Sequence, residues 1–396
     1  MSSSTPTLSL PRLVGYFLRL GAVGFGGPVA LANSIRRDLV EARRWITEEQ
    51  YESGLAIAAA CPGPLAYQLG VYCGYVRFGV LGGVLVAVAF GLAPFLLVVA
   101  VSAAYTRFSG SWQVRALFYG VGPAVVALIV KACFNLGVRT LRKDPSAWAF
   151  ALIACAVTVI LQRELAVLLV VAGALGIFVF ARSAETHPAL HPPPAAPSGG
   201  TTALALAAPI LSAGGMPAKL FLFFFKTGGL VFGSGLVIVP FLKTWVVEEY
   251  HWLAEREFLD AVAIGMMSPG PVVITATFVG YLVGGFKGAL AATVGIFSPA
   301  VLFTVLATPL FLRYAHNKRL QGFVRGVTVT VVGVLGGTTW LVARTVVGDA
   351  LTVGITVLSL AALVLWKKCP DPLLVAVSAA IGLAAYRVVR PEWLLR

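Results

Sequence analysis

The sequence predicts an all-α polytopic membrane protein made of two inverted-topology repeats, with about ten spanning helices and two Pro-Gly-Pro re-entrant hairpins. Three observations carry that expectation. The chain is 59% hydrophobic and 12% charged over 396 residues, with a mean hydropathy of +0.90, which is more apolar surface than one soluble core can hide. Two apolar stretches are interrupted alike, by Cys61-Pro62-Gly63-Pro64 and by Ser268-Pro269-Gly270-Pro271. Sliding the chain against itself by 207 residues aligns Phe17–Pro64 with Phe224–Pro271 without a gap.

Stretches able to span roughly 30 Å of hydrocarbon recur near 12–34, 79–104, 113–137, 146–161, 164–181, 219–241, 287–311, 323–344, 350–366 and 372–389. The opening "MSSSTPTLSLPRLVGYFLRLG" lacks a basic region, a short apolar core and a small-residue cleavage site, so no cleaved signal peptide is expected. The internal alignment matches Gly21, Phe25, Gly26, Glu41, Trp45 and Glu48 with Gly228, Phe232, Gly233, Glu248, Trp252 and Glu255. Chance apolar similarity would match Leu and Val, not Gly, Pro, Trp and charge. The organisation expected is a first repeat over 1–182, a Pro/Ala/Gly-rich linker over 183–218, and a second repeat over 219–396. His187 and His191 fall in the linker without a third ligand, and Thr201–Gly215 is too short to span, reaching about 22 Å.

Proline lacks an N–H and clashes with the preceding turn, so each Pro-Gly-Pro ends a helix and frees backbone groups that hydrocarbon cannot satisfy. The flanking pieces 52–60 and 65–76 are too short to span singly, about 14 and 18 Å as helices. A re-entrant hairpin fits them, and a single broken spanning helix is the alternative. Charge favours the hairpin. It places Arg36, Arg37, Arg43 and Arg44 on one side with Arg139, Arg142, Lys143, Arg313, Lys318, Arg319, Lys367 and Lys368, the cytoplasmic side by the positive-inside rule. Glu248, Glu249, Glu255 and Glu257 then lie outside, and five full spans per half force the repeats into opposite orientations. Both termini are expected outside and the linker inside.

The net charge of +14 is scattered between apolar spans, so no nucleic-acid partner is indicated. Cys61, Cys73, Cys133, Cys155 and Cys369 form no CxxC pair and read as packing residues; no metal site or cofactor is expected. The absence of a GxxxxGK[ST] loop, of HExxH and of a Ser/His set argues against an ATPase or another membrane enzyme. A cation carrier would carry carboxylates in its spans, and Asp260 alone lies near one.

Inverted repeats with broken helices are the architecture of secondary transporters, where half-helix ends aim partial charge at a substrate. A helix N-terminus suits an anion. The candidate substrate-binding residues are therefore the breaks themselves, Cys61, Pro62, Gly63, Pro64, Ser268, Pro269, Gly270 and Pro271. To them are added the close-approach residues Gly26, Gly27, Gly233 and Ser234 and the equivalent cations Arg19 and Lys226. Lys131 is deep in a span but near enough to its end to snorkel. Trp45 and Trp252, with Glu48 and Glu255, read as interfacial anchors and helix starts.

The motifs "GFGGP", "RRDLVEARRW", "CPGP", "FGSG", "WLAEREFLDA", "SPGPVVITATFVGYLVGG" and "GALAATVGIFSP", in that order, resemble the two-domain, long-chain chromate ion transporter family over roughly 17–105 and 224–309. The resemblance implies efflux of chromate, a tetrahedral oxyanion, across the bacterial inner membrane, with chromate resistance as its consequence. Sulfate or molybdate is the alternative substrate, and an integral-membrane enzyme or scaffold a distant one. Membrane lipid is the expected surroundings, and a homodimer is one assembly such a chain could form. With no nucleotide motif, export needs no ATP: the membrane potential gives about 2.3 kcal/mol per charge per 100 mV, or roughly 4.6 kcal/mol for a dianion, and proton antiport is the alternative coupling.

Overall fold

The computed structural model describes residues 8–24, 27–108, 112–141, 144–161, 166–180, 214–233, 238–314, 317–366 and 371–389, and these are almost wholly helical. In the first half run α1 (Leu10–Val23), α2 (Gly27–Ile35, continued by a π-helical turn, Arg36–Ala42), α3 (Glu48–Ala60), the two-residue strand β1 (Gly63–Pro64), α4 (Leu65–Phe108), α5 (Trp112–Leu141), α6 (Pro145–Leu161) and α7 (Ala166–Val179). In the second run α8 (Gly215–Gly228), β2 (Phe232–Gly233), α9 (Ile238–Phe241, continued by Leu242–Glu249), α10 (Glu255–Met267), a 3-10 turn (Val272–Ile274), α11 (Thr275–Tyr314), α12 (Lys318–Val346), α13 (Ala350–Leu365) and α14 (Asp371–Val389). His187, His191, Cys369 and most of the 183–218 segment lie outside the described residues.

Local chemistry sets the helix starts. Thr47 accepts from the Gln50 N–H at 3.2 Å while the Gln50 side chain accepts from the Thr47 N–H at 3.1 Å, a reciprocal cap that opens α3. At the equivalent place the Ala254 N–H donates to Glu257 at 2.9 Å and α10 begins. Asp144 and Asp349 cap α6 and α13, accepting from Ser146 and Thr352 N–H groups at 3.0 and 2.9 Å.

Four helices are long and apolar enough to cross a membrane: Leu65–Phe108, Ala116–Val138, Val272–Leu306 and Gln321–Arg344. The apolar helices Pro145–Leu161, Val167–Val179, Ala350–Leu365 and Asp371–Ala385 are shorter. The first and third of the long ones reverse on themselves. Gly79 and Gly285 take φ of 65° and 60°, a left-handed turn open to glycine, after Phe78 and Gly284 have left helical geometry. The Tyr67 hydroxyl accordingly reaches the Ala87 carbonyl at 3.2 Å. The chain also turns back at the first Pro-Gly-Pro, where Tyr72 packs with Ile57, Cys61 and Val76.

Two expected spans need correction. A straight helix would hold residues 16 and 38 about 33 Å apart. Instead the Tyr16 hydroxyl lies 3.3 Å from Asp38, and Phe223 meets Trp252 edge-on at 5.6 Å. The stretches 12–34 and 219–241 therefore fold back after Gly24 and Gly228 and are not single crossings. A glycine-rich interruption leaves hydropathy unchanged, so a window average cannot distinguish a reversal from a crossing.

The halves interlock. Past the turn, the 80–108 arm of α4 lies antiparallel to its counterpart in α11, with Phe95 against Phe286 at 6.1 Å and Gly91 against Phe297. Helix α5 packs on α13 and α14 of the second half, and α12 packs on α6 and α7 of the first. Gly120 faces Gly382 and Gly176 faces Gly326 so closely that an added Cβ would strike backbone, the small-residue packing of membrane helices. The pairs are related by a shift of 206 residues. Tyr119 donates to Asp349 at 2.5 Å and Arg325 to Asp144 at 2.6 Å; the two donors are 206 residues apart and the two acceptors 205, each acceptor being the cap of its helix. Lys131 pairs with Asp371 at 3.3 Å, tying α5 to the start of α14.

Candidate functional site

Each Pro-Gly-Pro leaves one backbone donor that its own helix cannot use, the glycine N–H, because both neighbours are prolines. Both donors are satisfied from the other half. Gly63 N–H donates to Val231 O at 2.5 Å, and Gly270 N–H donates to Gly24 O at 2.8 Å. Gly63 and Gly270 are 207 residues apart, as are Gly24 and Val231, so the two bonds are copies of one another. The first is extended by a short parallel pairing of Gly63 with Phe232 and Pro64 with Gly233. Gly24 and Val231 follow the helices interrupted by the glycine-rich motifs, so each half's break is completed by the other half's interruption.

Several helix ends meet there. The Cys61 N–H closes α3 on Ile57 O at 2.9 Å, and the Ser268 N–H closes α10 on Ile264 O at 3.0 Å. Helix α4 starts directly after Pro64, and the Val272–Ile274 turn starts directly after Pro271. The first-turn N–H groups of those starts carry the partial positive charge of a helix N-terminus. Gly63 has φ 140° and Gly270 φ 84°. A Cβ on Gly63 would lie 2.7 Å from the Gln68 side chain and 2.8 Å from Ala300, whereas on Gly270 its nearest neighbour is Pro94 at 3.0 Å.

Cys61, Gly63, Pro64, Ser268, Pro269, Gly270 and Pro271 are buried at this crossing and Pro62 is half-buried. Gly233 joins them through β2, and Gly27 opens α2. Gly26 and Ser234 lie outside the described residues. Arg19 and Lys226 are exposed on α1 and α8 while Phe17, Leu20, Phe224 and Thr227 on the same helices are buried; the fold does not bring these two cations into the crossing.

Gln68 is the functional candidate that the motif reading passed over. It is fully buried one turn into α4, and its Nε2 donates to the Pro62 carbonyl at 2.7 Å. A single amide inside the apolar run "LAYQLGVYCG" was the signal available. Asp260, also buried, accepts from the Tyr105 hydroxyl at 2.7 Å, away from the breaks. Among the described residues no three His, Cys, Asp or Glu side chains gather to hold a metal ion.

Apolar helices that are interrupted inside the molecule, with the glycine donor of each break met by the other half, define a polytopic membrane protein. The chain belongs to the chromate transporter family, whose model matches residues 11–177 and 218–383. It is 44% identical to the chromate transport protein of Cupriavidus metallidurans over 97% of this chain and 95% of that protein. It is 40% identical to a probable chromate transport protein of Synechococcus elongatus (95% and 96%) and 35% identical to the chromate transport protein of Pseudomonas aeruginosa (97% and 93%). No solved structure matches the chain.

Proposed function

We propose that this chain is a secondary transporter that exports chromate across the bacterial inner membrane and so confers chromate resistance, with the oxyanion held where the two Pro-Gly-Pro breaks meet. The observation that carries the reading is the reciprocal pair of hydrogen bonds, Gly63 to Val231 and Gly270 to Gly24. Backbone freed from helices at membrane depth lines a cavity or a site, and N-terminal helix ends there favour an anion. The full-length similarity to chromate transport proteins names the oxyanion. Arg19 and Lys226, exposed at equivalent places, supply positive potential on the approach.

The units are two inverted repeats, 1–182 and 219–396, joined by 183–218. The antiparallel packing of α4 on α11 supports the inversion. With its first span folded back, each repeat carries two half-depth hairpins, one at the glycine-rich interruption and one at Pro-Gly-Pro, so an odd number of spans does not impose the inversion, which rests on the antiparallel packing. Because α1 and α2 fold back, Leu10 shares a face with Arg36 and Arg37, the cytoplasmic face by the positive-inside rule. Accessibility tagging of a cysteine introduced at Ser9 would label from the cytoplasm; labelling from the periplasm would restore an unbroken first span.

Export needs no ATP, because each negative charge leaving an interior-negative compartment gains about 2.3 kcal/mol per 100 mV. Vesicles holding the purified chain and chromate should expel it when a potassium gradient with valinomycin sets the interior negative. Flux indifferent to voltage contradicts this, and flux driven by a pH gradient at zero voltage identifies a proton antiport instead.

A further inference from the structure

Among the described residues one buried side-chain polar atom has no hydrogen-bond partner: Gln68 Oε1. Its orientation is fixed by the other end of the amide, since Nε2 donates to Pro62 O at 2.7 Å and a flipped amide would set two acceptors face to face. The amide lies against Gly63, in the first turn of the 65–77 arm, whose N-terminal end, positive by its backbone N–H groups, adjoins the break. The site thus combines donors, which suit the oxygens of an anion, with one acceptor, which suits a hydrogen. The second half has no counterpart, because Ile274 and Thr275 stand at the corresponding positions. Moreover, no Lys or Arg side chain is buried among the described residues, so a dianion at the crossing would lack a buried countercharge.

We propose that Gln68 selects the protonation state of the transported ion. Its Oε1 accepts a hydrogen bond from the O–H of a singly protonated tetrahedral oxyanion, hydrogenchromate, and turns away ions that offer only lone pairs. Chromate takes up a proton near neutral pH, whereas sulfate and selenate do so only in strong acid. One carbonyl oxygen therefore separates chromate from the far commoner sulfate, and the charge moved per ion is one. This rests on the reading of the breaks as the oxyanion site.

The test uses the full chain in sealed vesicles with equal pH on both sides. At a fixed valinomycin potential the chromate ratio at equilibrium should change tenfold per about 59 mV, the slope for one charge, and the initial rate should rise as the pH falls from 8 toward about 6 with the hydrogenchromate fraction. Sulfate and selenate should compete at least about tenfold more weakly than chromate, since each would leave a buried acceptor unpaired. Gln68→Met, which keeps length and removes the acceptor, should lose most of that preference. A slope of two charges, a rate that follows the dianion fraction, or equal competition by sulfate in the wild-type chain each overturns the proposal, and none of these readings requires the variant to fold. Absence of chromate flux at every pH and voltage would instead overturn the transport reading.

Discussion

The two Pro-Gly-Pro breaks share a backbone and differ in what surrounds it. In both, a glycine N–H crosses to the carbonyl of the opposite half. At the first, α4 begins at once, Gln68 folds over Pro62, and Gly63 is hemmed in by Gln68 and Ala300. At the second, a 3-10 turn intervenes, Ser268 Oγ bonds back to Gly265 O at 3.1 Å, and Thr275 Oγ1 bonds to Val272 O at 2.8 Å. The second break satisfies its own side chains, while the first keeps an acceptor open. Symmetry builds the crossing, and the departure from symmetry gives it chemical character.

The largest effect should come from filling either break. Gly63→Leu and Gly270→Leu should each cut chromate flux at least tenfold in vesicles while leaving membrane insertion intact, because leucine raises the hydropathy of the segment while its side chain blocks the backbone approach. Normal transport by both would reduce the breaks to packing devices. Smaller substitutions sharpen the contrast. Gly63→Ala meets two neighbours inside 3.0 Å at φ 140° and should lose about tenfold in rate, whereas Gly270→Ala, with Pro94 at 3.0 Å and φ 84°, should lose about threefold. Equal losses would mean that the surroundings of the two breaks do not matter. Arg19→Gln and Lys226→Gln should lower flux a few-fold, more at low than at high ionic strength, as an exposed charge acts; salt-independent losses would place them inside the site. Ser268→Ala should change the rate by less than about twofold, since its hydroxyl serves only its own helix end.

The repeat was legible because it is written in residue types that backbone geometry demands. Gly63 and Gly270 had to be glycines, and their flanking prolines announce a helix end from residue type alone. The partners were not legible. Gly24 and Val231 contribute carbonyl oxygens, which every residue possesses, so nothing in their identity marks them. Reversal after Gly24 was missed for a related reason: 12–34 has the hydropathy of a crossing, and only the approach of Tyr16 to Asp38 reveals the turn. Arg19 and Lys226 attracted attention as charges in apolar surroundings, yet their faces point away from the packed interior. Gln68 carried a visible signal, an amide among aliphatic and aromatic residues, but its bond to Pro62 depends on the chain folding back at Pro-Gly-Pro.

Chromium scatters anomalously, so crystals of the full chain grown with chromate would locate the ion without reference to any mechanism. A single strong peak is expected between the two breaks, within hydrogen-bond reach of Gln68 Oε1 and of the first-turn N–H groups after Pro64. A peak remote from both Pro-Gly-Pro segments, for instance in the cleft lined by Tyr119, Arg256 and Asp260, would contradict the account.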